Sequence, residues 1–155
     1  TLLVLKDLTT RVNTMIDRSE DVLKQLQNLQ DALKSRSLTT NPTAQAGHAG
    51  SEGQASNASN VVAAVDKAIE EFRHFRYTLT REINMGYRYP TELREEISAL
   101  AGSVSSVQGA PTDPQKARAD ELKEETAQAE QRLAQLVSQH VNAINAMLSG
   151  QPHIR

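Results

Sequence analysis

The residues with the most chemical promise are Glu71-Phe72-Arg73-His74. Glu-x-x-His is the spacing of carboxylate-bridged di-metal bundles, where two cations need several anionic ligands facing one another. That chemistry requires a second such motif and two more inward carboxylates, and no second Glu-x-x-His occurs in the 155 residues. On a helix turning ~100° per residue, His74 lies ~200° beyond the apolar Phe72 and is expected to face water. No metal site is expected. His140 falls near the apolar line of its own segment and reads as a half-buried neutral histidine bonded to a neighbouring helix. A lone histidine with no carboxylate or nucleophile beside it makes no catalytic site. His48 sits in a polar stretch and His153 near residue 155.

Arg73, His74, Arg76, Arg81, Arg88 and Arg94, interleaved with Tyr77, Tyr87 and Tyr89, could hold phosphate or stack bases. Glu70, Glu71, Glu82, Glu92, Glu95 and Glu96 largely cancel that charge and imply a solvated, salt-bridged surface. The whole-chain balance agrees: 17 basic against 19 acidic residues, net charge −2, argue against a nucleic-acid partner. Cysteine is absent, which removes a disulfide framework, a thiol nucleophile, Cys-ligated zinc and iron–sulfur clusters. Neither a Gly-rich phosphate loop nor a Gly-x-Ser-x-Gly elbow is present. No catalytic, cofactor-binding or metal residue is assigned, no cofactor is expected, and the chain is not expected to be an enzyme. No apolar run approaches ~20 residues, so no stable membrane insertion is expected.

The elements that position these residues read as helices. Apolar residues make up 38% of the chain and aromatics only 3%, with Ala, Leu, Gln and Glu abundant. Leu5, Leu8, Val12, Met15, Ser19, Val22, Leu26, Leu29 and Leu33 follow steps of three and four, which keeps one stripe on one helix face. Only Ser19 interrupts it. This predicts a first helix over about residues 2–35, roughly 50 Å long at ~1.5 Å per residue. Residues 37–60 are mostly Ala, Gly, Ser, Gln, Asn and Thr, and read as a flexible connection. Within it, Asn57-Ala58-Ser59 fits a glycosylation pattern but reads better as the start of a helix, with Ser59 or Asn60 as its N-cap.

A second helix over about 61–85 buries Val62, Val65, Ile69, Phe72, Phe75 or Arg76, Leu79 and Ile83, and Gly86 suits its stop. Tyr87, Tyr89 and Pro90 order the next turn, because the residue before a proline is pushed away from helix. Thr91 then caps a third helix over about 91–107, with Leu93, Ile97, Leu100, Ala101 and Val104 inward. Gly102 inside it reads as a close backbone approach. Thr112, Pro114 and Gln115 form a capping box that opens a fourth helix over about 112–149. Its stripe is Leu122, Thr126, Ala129, Leu133, Leu136, His140, Ile144 and Met147, with Val137, Val141 and Leu148 beside it. The fold class is all-α: one domain, an antiparallel bundle of four amphipathic helices. The alternative is an elongated three-layer coil in which an interrupted middle helix faces the two long ones.

Most of the chain also resembles a known family. Ala68-Ile69-Glu70, Tyr89-Pro90-x-x-Leu93, Leu100-Ala101-Gly102-x-Val104-x-Ser106, Ala110-Pro111-Thr112-x-x-Gln115, Val141-x-x-x-Asn145 and Pro152-His153-Ile154 follow one another in that order. Together they look like the C-terminal helical region of bacterial sortilin-like, BNR-repeat propeller proteins, often labelled glycosyl hydrolases or sialidase-like. Leu8-x-x-Arg11-Val12-Asn13 is similar to the helix that follows the propeller there. Arg88 departs from the Asn that commonly precedes Tyr-Pro, and no aromatic stands near Ala119-Asp120.

The resemblance implies a non-catalytic accessory or interaction domain of an exported protein, in the periplasm, the cell envelope or the medium. Any glycosidase or carbohydrate-binding activity would belong to the propeller, and the partners would be that propeller, another protein or a second copy. The chain opens at Thr1 rather than Met, and the expectation is a processed product or a piece of something longer. The competing readings are a free-standing helical metal carrier and a membrane-surface binder. The latter would need a lysine-rich polar face, and the first helix mixes signs there.

Overall fold

The computed structural model describes residues 1–39, 52–80, 92–107, 109–148 and 154. Among them the chain is all-helical, as a helical bundle requires, with no strand. Helix α1 spans Leu2–Thr39, α2 Glu52–Leu79, α3 Leu93–Ser106 and α4 Asp113–Leu136. A π-helical turn, Val137–Val141, continues α4 directly into α5, Asn142–Met147. The helices divide into two compact units, Thr1–Glu20 with Arg73–Gln135, and Asp21–Phe72 with Leu136–Arg155.

In the first unit the core comes from Leu5, Leu8, Val12, Met15 and Ile16 of α1, Phe75 and Leu79 of α2, Leu93, Ile97 and Val104 of α3, and Ala119, Leu122 and Leu133 of α4. Two polar residues lie fully inside this core. Ser19 donates to the carbonyl of Met15 at 2.7 Å and Thr126 to that of Leu122 at 2.7 Å. Each hydroxyl is satisfied by its own helix, so a short polar residue sits in an apolar seam without an orphaned donor. Between α3 and α4 the pairs run in opposite senses: Glu96 meets Arg118, while Ser103 further along accepts from Gln115 Nε2 at 3.0 Å. These two helices are antiparallel. Arg11 reaches from α1 to Glu130 of α4 with two hydrogen bonds, 2.8 and 2.6 Å. Arg76 of α2 meets Glu20 at 2.8 Å.

The second unit holds the rest of α1, most of α2, the π turn and α5. Its core comprises Val22, Leu23 and Leu26, then Val61, Val65, Ala68, Ile69 and Phe72, and finally Leu136, Val141, Ile144, Leu148 and Ile154. Phe72 is fully buried and is the largest side chain to be so. Gln30 and Asp66 join α1 to α2 by a side-chain hydrogen bond.

The fourth-helix start is as the sequence implies. The Thr112 backbone N–H donates to Gln115 Oε1 at 2.9 Å, and the Gln115 N–H donates back to Thr112 Oγ1 at 3.4 Å. Each satisfies one of the orphan donors of a helix N-terminus. Several other boundaries need correction. α1 runs four residues beyond the expected Ser35, with Arg36 in its last turn where a cation suits the helix dipole. α2 begins at Glu52, so residues 52–60 are helical rather than a flexible connection, and Ser59 and Asn60 lie inside the helix instead of capping it. Once the packed residues from Val61 onward have nucleated the helix, extending it backward carries no second nucleation cost.

α3 starts at Leu93 with Glu92 as its N-cap, and Glu92 makes no side-chain cap bond. Thr91 lies outside the described residues, as do Ile83, Met85, Gly86, Tyr87, Tyr89 and Pro90. Gly102 does not mark a close approach: a Cβ placed there meets nothing within 4 Å. Leu29, Leu33, Val62, Leu100, Ala101 and Ala129 are only half-buried, and at the 75/76 position Phe75 is inside while Arg76 is half-buried.

Candidate functional site

The π turn is where the fourth helical rod departs from expectation. Buried positions along it are Ala119, Leu122, Thr126, Leu133 and Leu136, then Val141, Ile144 and Leu148. With the half-buried Ala129 counted between Thr126 and Leu133, the steps are three or four except for the five from Leu136 to Val141. A π turn closes i→i+5 hydrogen bonds and absorbs one extra residue. Here the Asn142 N–H donates to the Val137 carbonyl, which is that bond. The insertion resets the phase, so Val141 and Leu148 take the seam that uninterrupted α-helix would give to His140 and Met147. Met147 is accordingly 48% exposed, which corrects its expected inward placement.

Displacing His140 from the seam turns it toward α2 of the same unit. His140 Nε2 stands 3.6 Å from Glu71 Oε2, with the histidine side chain 13% and the glutamate 33% exposed. At 3.6 Å this is a charge contact that strengthens when the imidazole is protonated, and it is too long for a hydrogen bond. His140 is half-buried as expected, but its contact with the neighbouring helix is this charge contact with a carboxylate rather than the expected hydrogen bond. The two residues stand on the wall of a half-open pocket of about 320 Å³. Ala64, Lys67 and Glu71 line it from α2, at three- and four-residue steps on one helix face. Gln139, His140, Ala143 and Ile144 line it from the other side. The alanines leave room, since a longer side chain at 64 or 143 would take up part of it.

Chemically, this pocket offers an imidazole, a carboxylate, an ammonium and an amide around an apolar floor. Its lining has no Ser, Thr or Cys to act as nucleophile. A cation would find two ionisable ligands where protein sites commonly use three or more, with Lys67 opposing it. Among the described residues no group of three or more His, Asp or Glu could hold a metal. His74, the second half of the Glu-x-x-His spacing, is exposed as expected. Of the basic-aromatic stretch, Arg76 meets Glu20, Arg94 lies 3.4 Å from Glu95, and Tyr77 is 37% exposed. Arg81, Arg88, Tyr87 and Tyr89 lie outside the described residues, as do His48 and His153.

Two further features escaped sequence reasoning. Leu2, Leu3 and Val4 are 37%, 82% and 40% exposed at the start of α1, immediately before the fully buried Leu5. In the second unit, Asn145 Nδ2 donates to the Ile154 carbonyl at 2.9 Å while Asn145 Oδ1 accepts from the Ile154 N–H at 2.8 Å. No helix among the described residues is long and apolar enough to cross a membrane. No family model, curated protein or solved structure matches the chain. The class that the fold defines is the all-helical bundle.

Proposed function

We propose that this chain is a non-catalytic helical accessory domain whose role is association with another protein surface. The observation that carries this reading is the exposed Leu2-Leu3-Val4 ridge. It places three large apolar side chains in water at the head of a helix whose next apolar residue is fully covered. Burying them would contribute on the order of 25 cal/mol per Å² of apolar surface removed from water. The pocket beside His140 supports the non-catalytic part, because its acid–base pair has no nucleophilic hydroxyl or thiol beside it.

The partner we propose is the propeller of an exported sortilin-like BNR-repeat protein, on the strength of the ordered motifs from Ala68 to Ile154. Its location would be the periplasm, the cell envelope or the medium. The test is the reading frame upstream of Thr1, followed by limited proteolysis of the protein it encodes. Strand-rich Asp-box repeats are expected there, and a start codon within a few residues would overturn the propeller context. In the encoded protein, Leu3→Glu is expected to speed cleavage within α1, and unchanged cleavage would remove the ridge as the interface.

A further inference from the structure

The pairing of Asn145 with Ile154 has the form of a recognition contact. A carboxamide that donates to a residue's carbonyl and accepts from the same residue's N–H reads a backbone unit in the way a neighbouring strand does. Nothing in those two bonds depends on the identity of the residue held, because every non-proline residue in an extended segment offers the same pair. Selection would come from the side chain, and Ile154 is buried to 7% exposure. Asn145 itself is half-buried on α5, which follows the π turn directly and also carries the buried Ile144.

We propose that Asn145, with the buried space that Ile154 fills, is a capture site for an extended peptide bearing a branched aliphatic residue. In this chain Ile154 occupies it in cis. An occupant tethered nine residues from its receptor enjoys an effective concentration in the millimolar range, so a peptide supplied in trans competes poorly until that occupant is weakened. This proposal is independent of the association read from the α1 ridge, since the two use different helices and different units.

The test uses the full chain and a fluorescent Gln-Pro-His-Ile-Arg peptide, copied from residues 151–155, with binding read by anisotropy. Ile154→Ala is expected to bind it saturably and at least 10-fold tighter than the unaltered chain does. Changing the peptide's isoleucine to alanine, or adding Asn145→Ala to the chain, is expected to lower that affinity at least 10-fold. The proposal fails if Ile154→Ala keeps its helical circular dichroism yet binds no peptide, or binds the isoleucine and alanine peptides equally. Should that variant unfold, the unaltered chain answers instead. Several millimolar isoleucine peptide is expected to shift the Asn145 side-chain amide resonances where the alanine peptide does not, and unmoved resonances would sink the idea.

Discussion

The two units are built from the same kinds of helix but keep them in register by different means. In the first, each helix keeps one seam on the α-helical period, with half-buried Leu100, Ala101 and Ala129 filling its steps, and long charged side chains tie one helix to another: Arg11 to Glu130, Arg76 to Glu20, Arg118 to Glu96. In the second, the register changes once, at the π turn. Polar side chains near that turn stand around a half-open pocket. A continuous seam covers its apolar residues and leaves charges to pair at the edges. A seam with one residue too many must displace something, and here it turns out Gln139 and sets the half-buried His140 against the pocket.

Taking out one residue beyond the π turn is the strongest way to break this contrast. With Ala143 deleted, Ile144 and Leu148 keep the seam only if the π turn straightens into uninterrupted α-helix. Val141, now 3% exposed, would then leave the core while His140 entered. Exchanging Val141 for an imidazole forfeits a buried aliphatic and desolvates a polar ring. The expected destabilisation is about 2–3 kcal/mol by thermal or urea unfolding. Amide exchange should quicken in the second unit, at Val22–Leu26 and Val61–Phe72, well before it does in the first. Unchanged stability would mean that the π turn contributes nothing to packing.

How far the sequence discloses this molecule follows the same division. The three-and-four spacing made the helices readable because burial repeats with the helix period, and Thr112 with Gln115 was readable because a capping box is local. The start of α2 was not: residues 52–60 have a linker's composition, and their helicity is borrowed from the packed residues after them. The π turn left a trace in the five-residue gap between Leu136 and Val141, yet His140 stood at the expected step and masked it. The Asn145–Ile154 pair left no trace, because two hydrogen bonds to a backbone unit impose no pattern on side-chain types. Tyr89 and Pro90 lie outside the described residues.

Within the first unit, two substitutions of opposite sign sharpen the reading of α3 and α4. Thr112→Ala removes the Oγ1 acceptor of the capping box and is expected to cost about 1 kcal/mol. Gly102→Ala sits in the interior of α3 with open space around the new methyl, and is expected to stabilise by roughly 0.5–1 kcal/mol through the lost flexibility of the unfolded chain. Chemical denaturation of both single variants and the double checks this. The sites are neighbours through Gln115 and Ser103, so a departure from additivity would measure the contact between those two residues.

The smallest effect concerns the ion pairs that distinguish the first unit. The hydrogen bonds from Arg11 hold the Glu130 carboxyl below the usual glutamate range and raise the Arg11 guanidinium in return. A carboxylate whose folded pKa is depressed stabilises the fold at every pH above its unfolded value, ~4.3, and loses that contribution as pH falls through the folded value. Glu130→Gln should therefore be less stable than the unaltered chain near neutral pH and should converge with it below about pH 4. The pair is about a third exposed, with side chains at 31% and 40%, so solvent screening limits the gap to about 0.5 kcal/mol. Raising the salt to about 1 M should narrow it further. A gap that persists in acid would assign Glu130 a packing role rather than a charge role, and would leave the two units less different in electrostatics than their ion pairs suggest.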